Sequence, residues 1–170
     1  MRFHGLTARA LVVAAGSAGV IWGMHLGGGD ASAVTCQASN GHEVQRIQGT
    51  SGCGARAAAG STASAQETGG GTAVAVADRG GRATAINQQP GSSALAGATT
   101  GGTSYSITTG PKALSVAQAR AGGYSVAVGG VGGQAYAGAP GVQCSGGFAA
   151  AADSTTGRVC LKYGSINLRN

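Results

Sequence analysis

The acidic side chains are the first candidates for chemistry in this sequence. Only five of the 170 residues are acidic. Two of them, Glu67 and Asp78, lie eleven residues apart, at the ends of different units of the sequence repeat described below. A pair of carboxylates is the catalytic apparatus of most glycoside hydrolases, so this pair defines one enzymatic hypothesis. Isolated carboxylates at turns are more often simply solvated, and that interpretation is favoured here.

Other catalytic groups are sparse. The sequence contains no G-x-S-x-G motif of a serine hydrolase. His42 is a formal candidate for a general base, and Cys53 for a reactive thiol, but His42 lies in a polar stretch that we expect to be exposed. We therefore predict no catalytic residue, no cofactor and no metal site.

The four cysteines, Cys36, Cys53, Cys144 and Cys160, are expected to form two disulfides. An even cysteine count in an exported chain favours disulfide bonding, and zinc is disfavoured because no CxxC spacing occurs. Three pairings are formally allowed. The placement of one pair near each end favours Cys36–Cys53 and Cys144–Cys160.

The arginines define one candidate binding surface. Arg79 and Arg120 are 41 residues apart. In a β-solenoid with coils of about twenty residues, the fold predicted below, this separation is close to two coils. It therefore predicts a basic edge able to meet an anionic envelope polymer. Solvated turn residues are the simpler interpretation. Two arginines in an exported chain are too few for a nucleic-acid site, so no nucleic-acid partner is predicted.

The first 33 residues read as an export signal. Arg2 and Arg9 lie in a basic segment, residues 11–22 form an apolar run, and Ala-Ser-Ala at 31–33 is a small-x-small cleavage site. An uncleaved N-terminal anchor is the alternative. With cleavage, we predict a secreted or envelope-associated chain that begins at Val34 and has no membrane span.

The centre of the chain is repetitive. Runs of alternating residues, such as TAVAVA (72–77) and YSVAV (124–128), follow paired turn residues that recur every ten residues, give or take two. The turn pairs lie at 70–71, 80–81, 90–91, 101–102, 110–111, 122–123 and 132–133. Alternation with period two indicates strands with two distinct faces.

One face of each predicted strand carries large residues and the other carries alanine or serine. Since monomers rarely expose a large apolar patch, we expect the large-residue face to be the core, so that Val126→Asp would unfold the chain. The opposite assignment, with alanine and serine inside, is the alternative. The residues expected to point inward are Val74, Val76, Ile86, Leu95, Tyr105, Ile107, Leu114, Val116, Val126, Val128 and Tyr136.

The predicted fold is all-β, a β-solenoid with two ten-residue units in each coil and a disulfide at each end. An antiparallel meander or sandwich is the alternative. The expected organisation is a signal peptide (1–33), an N-terminal disulfide cap with the first strands (34–68), the repeat array (69–141) and a C-terminal disulfide cap (142–170).

The two-cysteine head (36–53), the Ala/Gly array and the two-cysteine tail (144–160) resemble an uncharacterised family of small exported proteins from high-GC Gram-positive bacteria. YSVAVGG (124–130) is also similar to coils in the solenoid heads of trimeric autotransporter adhesins, but only as an architectural analogy. The resemblance implies export and no particular activity.

Two alternative functions follow for this sequence, and the first is the leading one. The first is a non-enzymatic structural or interaction module of the envelope or extracellular space, with an envelope polymer or another protein as its partner. The second is a small exported enzyme or ligand-binding protein that acts on envelope carbohydrate. A groove in which Glu67 and Asp78 meet would favour the second.

Overall fold

A computed structural model describes residues 32–170, and these residues form fifteen β-strands and no helix. The predicted signal peptide lies outside the described residues, except for Ser32 and Ala33. The strands are β1 (Val34–Ser39), β2 (Glu43–Gln48), β3 (Ser51–Ala57), β4 (Thr62–Glu67), β5 (Thr72–Ala77), β6 (Arg82–Asn87), β7 (Ser93–Ala98), β8 (Thr103–Thr108), β9 (Leu114–Ala119), β10 (Tyr124–Gly129), β11 (Gly133–Gly138), β12 (Gly141–Gly146), β13 (Phe148–Asp153), β14 (Arg158–Tyr163) and β15 (Ile166–Arg169).

The strands form two sheets. One has eight strands in the order β1-β4-β6-β8-β10-β13-β14-β15, and the other has seven in the order β12-β11-β9-β7-β5-β3-β2. From β3 to β11 the chain alternates between the sheets, and each strand pairs in parallel with the strand two places along the sequence. The predicted β-solenoid is therefore confirmed, because a meander would pair consecutive strands.

Two rows of turns connect the sheets. The first corner row leads from the seven-stranded to the eight-stranded sheet, at residues 58–61, 78–81, 99–102 and 120–123. The second corner row leads back, at residues 68–71, 88–92, 109–113 and 130–132. Coils that include the five-residue corners with Pro90 or Pro111 are 21 residues long, and the others are 20.

This coil length sets which residues stack. Val74 lies opposite Leu95, and Tyr105 lies opposite Val126, as the expected step of about twenty residues implies. Leu95 lies opposite Val116, 21 residues along the chain. The expected step of twenty residues would place Ser115 there, and the extra residue in the proline corner accounts for the difference.

The assignment of the strand faces was wrong. The inner faces carry alanine, serine and cysteine, with Ala73, Ala75 and Ala85 at 0% exposure, whereas the large residues point outward. Val76 and Tyr105 are 45% and 42% exposed. All eleven residues expected in the core are half-buried or exposed on the outer faces.

The physical reason is the short distance between the sheets. The Cα atoms of the disulfide pairs, which join one sheet to the other, are 5.8 and 5.9 Å apart, whereas face-packed sheets ordinarily lie about 10 Å apart. The Ser106 hydroxyl crosses the interior to donate to the Ser115 carbonyl at 2.7 Å, and it accepts from the Leu95 amide at 3.1 Å. At mid-strand positions only small side chains fit in so thin an interior, and the largest fully buried side chains, such as Glu67 and Asn87, lie at strand ends beside the corners.

Antiparallel strands close both ends of the parallel ladder. β1 pairs with β4 and β2 with β3 at the N-terminal end, while β12 pairs with β11 and β13 with β10 at the C-terminal end. Cys36–Cys53 joins β1 to β3, and Cys144–Cys160 joins β12 to β14. Each disulfide therefore cross-links the two sheets at one end of the solenoid, in the pairing that cysteine placement favoured.

Candidate interaction surface

The outer face of the eight-stranded sheet carries a continuous row of aliphatic side chains. Directly paired residues on six successive strands make up this row, which we call the apolar stripe. Its members are Ile86, Ile107, Val128, Ala150, Leu161 and Leu168. At about 4.8 Å between strands, the stripe is roughly 24 Å long.

Stacking in register explains how these apolar side chains are accommodated on the surface of the protein. Paired residues in adjacent strands cover part of one another, which leaves most of the stripe half-buried. Leu168, on the edge strand β15, is 60% exposed. A parallel row beside the stripe contains Tyr105, Val126 and Val159, so the apolar surface is two rows wide.

The surface changes character along this sheet. Apart from Ile86, which belongs to the stripe, the outer positions of β1, β4 and β6 are polar, and several of them line a shallow groove of about 450 Å³. The polar side chains of that groove belong to Gln37, Ser39, Thr62, Ser64 and Thr84. The N-terminal part of the face thus presents hydroxyl and amide groups, and the part from β8 onward presents hydrocarbon.

Arg79 and Arg120 lie on the first corner row, two coils apart but one position out of register. Asp78 and Arg120 directly follow the stacked residues Ala77 and Ala119, so Arg120 is equivalent to Asp78 and not to Arg79. The Arg79 guanidinium contacts the Asp78 carboxylate at 3.3 Å. The Arg120 guanidinium donates to the Ala139 carbonyl at 3.2 Å, so each arginine is engaged locally.

The candidate carboxylates do not converge. Glu67 is fully buried beside the second corner row, whereas Asp78 lies on the first corner row, at the far end of β5. Glu43 lies at the surface, 3.9 Å from Arg56. No groove brings Glu67 and Asp78 together, which removes the geometric basis for a hydrolase built on that pair.

Asp153 is the remaining acid of the described chain, and it is held by hydroxyl groups. Its carboxylate accepts from the Ser125 hydroxyl at 2.6 Å, and from the Thr156 hydroxyl and amide at 2.7 and 3.0 Å. Burial alone would raise the pKa of Asp153, but these hydrogen bonds, helped by the charge of Arg120, hold the pKa below its ordinary value. Asp153 thus fixes the turn after β13 as a carboxylate.

His42 and Cys53 are the two other sequence candidates for catalysis. His42 is exposed in the turn between β1 and β2, and Cys53 is consumed in a disulfide. Within residues 32–170, no three histidine, cysteine or acidic side chains cluster as metal ligands would. The same residues include no helix that is long and apolar enough to cross a membrane.

A buried polar column at the second corner row was missed. Glu67, Asn87 and Thr108 are stacked in register at the ends of β4, β6 and β8, and each is 0% exposed. Three polar residues spaced by one coil length, each at a strand end, were the available signal. The three residue types differ, so a search for identical repeats overlooks them.

Comparison with known proteins relates the chain to a protein family. No curated protein and no solved structure shows significant similarity to the chain. The profile of a family described as Family of unknown function (DUF6764) matches residues 3–163. Since this match covers nearly all of the 170 residues, including both disulfides and all the parallel strands from β3 to β11, the chain belongs to that family.

Proposed function

We propose that this protein is an exported, non-enzymatic interaction module that contacts a partner in the cell envelope or extracellular space through the apolar stripe. The observation that carries the proposal is the placement of large side chains outside and small side chains inside, the reverse of most β-proteins. The chain places alanine and serine inside and most of its isoleucine, leucine, valine and tyrosine outside, where they are available for contact.

The rest of the molecule is consistent with this role. Two disulfides indicate an oxidising environment, and the predicted signal peptide supports export. Parallel ladders, cross-linked at both ends, give a rigid surface that loses little conformational entropy on binding. The apolar stripe is a continuous patch and not a set of single exposed residues. Contiguous apolar patches on a surface typically mark interaction sites.

The experiment compares two valines on opposite faces of the solenoid. Val128→Asp places a charge in the stripe, and Val116→Asp places the same charge in the outer row of the seven-stranded sheet. Both variants and the wild type, each starting at Val34, are sedimented with envelope fragments of the producing organism.

We expect Val128→Asp to weaken co-sedimentation at least about tenfold, which corresponds to about 1.4 kcal/mol, while Val116→Asp binds like the wild type. Equal binding by all three proteins would contradict the proposal. Release of soluble saccharide by the wild type above a protein-free blank would contradict its non-enzymatic part.

A second candidate function is carbohydrate binding, without hydrolysis, in the polar groove on β1, β4 and β6. The groove presents the amide of Gln37 and the hydroxyls of Ser39, Thr62, Ser64 and Thr84, which are suitable hydrogen-bond partners for a sugar. Binding of envelope glycan fragments that is abolished by Gln37→Ala and retained in Val128→Asp would favour this candidate over the stripe.

A further inference from the structure

Glu67 is the most unusual side chain of the interior. Its carboxylate is fully buried, and one oxygen, Oε1, accepts three hydrogen bonds. The donors are the amides of Gly69 and Gly71, at 2.8 and 3.0 Å, and the Asn87 side-chain amide, at 3.0 Å. The other oxygen, Oε2, has no hydrogen-bond partner among the described residues.

The polar column is oriented to hold an anion at this position. The Thr108 hydroxyl donates to the side-chain oxygen Oδ1 of Asn87, and the side-chain nitrogen Nδ2 of Asn87 donates to Oε1 of Glu67. Both of these hydrogen bonds are donated in the direction of Glu67. A buried carboxylate without a cation is costly, and no lysine or arginine of residues 32–170 forms an ion pair with Glu67.

The neighbouring strand offers a source of positive charge near Glu67. Val34, the first residue of β1, lies directly opposite Glu67 in the antiparallel β1–β4 ladder, and both side chains are buried. Directly opposed residues have Cα atoms about 4.5–5.5 Å apart. Because β1 runs antiparallel to β4, the nitrogen of Val34 lies towards the second corner row, where Gly69 and Gly71 hold the Glu67 carboxylate.

We propose that cleavage of the signal peptide after Ala33 creates an α-ammonium group on Val34 that pairs with Oε2 of Glu67, so that processing completes the N-terminal cap. This inference rests on the export part of the proposed function. In the cleavage, water adds across the Ala33–Val34 peptide bond, Ala33 becomes a carboxylate, and the released proton charges the new amine. In the uncleaved chain the same nitrogen is a neutral amide.

A double-mutant cycle tests the pairing. Chains that start at Val34 are prepared with a free or an acetylated α-amine, each with and without Glu67→Gln, and the unfolding equilibrium constant is measured in urea. Acetylation should raise that constant at least about tenfold in the wild type, since breaking a buried ion pair is strongly destabilising. In Glu67→Gln the effect should be less than about twofold.

Glu43→Gln is the matched control, because it removes an exposed carboxylate at the same end of the solenoid. Acetylation should destabilise this variant as much as the wild type. An equal effect of acetylation in Glu67→Gln and in the wild type would overturn the pairing.

Two further measurements keep the inference falsifiable if Glu67→Gln does not fold. A crystal structure of the chain starting at Val34 should place the α-nitrogen within about 3.2 Å of Oε2, and a water or no group at Oε2 would overturn the pairing. Mass spectrometry of secreted protein should find Val34 at the N-terminus, and a different start would overturn the processing step. Neither result depends on binding by the apolar stripe, so the two proposals fail separately.

Discussion

The inner and outer faces of the same strands follow opposite rules. Ala127 and Val126 are neighbours on β10, yet Ala127 is completely buried and the larger Val126 lies half-exposed outside. In most β-proteins the larger side chain of such a pair faces the core. The difference teaches that sheet separation, not hydrophobicity alone, decides which face is buried when the space between mid-strand positions is only wide enough for a methyl or hydroxyl group.

The largest expected effect comes from thickening the interior. Ala85→Leu inserts three carbons between the sheets where Ala85 has 0% exposure, and neither sheet can move without straining the cross-links. Overpacking typically costs about 1–3 kcal/mol and occasionally more, and we expect more than about 3 kcal/mol here. Urea unfolding followed by circular dichroism measures it.

The matched control lies on the adjacent residue. Ile86→Leu changes an outer side chain without changing its volume, and it should cost less than about 1.5 kcal/mol. Equal losses for the two variants would show that the interior is not the tight side of the sheet.

Removing either disulfide should have the next largest effect. The double replacement Cys36→Ala with Cys53→Ala leaves side chains that suit the interior, so its cost reflects the lost cross-link. A loop of this size is worth about 3 kcal/mol. The same change at Cys144 and Cys160 should cost a similar amount, and a loss below about 1 kcal/mol at either end would mean that the ladders hold the sheets together without it.

The sequence predicted the solenoid well because its signals are local. Alternation with period two and turn pairs about ten residues apart fix strand length and coil length before any packing is known. The faces could not be assigned in this way, since alternation separates Val126 from Ala127 without stating which one points inward. The distance between the sheets decides that, and it arises from long-range packing.

The candidate sites were less predictable for the same reason. The apolar stripe requires the register between β10, β13, β14 and β15, which are paired antiparallel outside the repeat. The contact between Glu67 and Asn87 likewise joins two successive coils, so it depends on how one coil stacks on the next.

Acidification should lower the stability of the fold moderately, because it protonates Asp153. The pKa of Asp153 is held below its ordinary value, which is about 3.9 in an unfolded chain. Its hydrogen bonds therefore contribute fully above about pH 4 and are lost as the pH falls through the lower folded-state pKa.

Asp153→Asn should cost about 1.5–3 kcal/mol at pH 7, the range for hydrogen bonds to charged groups. Urea titrations at pH 7 and pH 3 should show that the wild type loses more stability on acidification than this variant does. Identical pH dependence would contradict the role of Asp153.

The corners belong to neither face and should give the smallest effect. Thr100 has a φ of 52° on the first corner row and its side chain is exposed. This left-handed conformation costs a non-glycine residue roughly 1–2 kcal/mol. Thr100→Gly should therefore raise the unfolding free energy by up to about 1 kcal/mol, whereas a loss of stability would mean that the threonine side chain contributes to the corner.

The most direct test places one charge on each side of β10. Ala127→Asp buries an unpaired carboxylate between the sheets, which costs several kcal/mol and should abolish the folded state. Val126→Asp places the same carboxylate on the outer face and should change the unfolding free energy by no more than about 1 kcal/mol. Circular dichroism and urea unfolding of both variants should give a folded Val126→Asp and an unfolded Ala127→Asp, and the reverse result would contradict the inverted placement of large and small side chains.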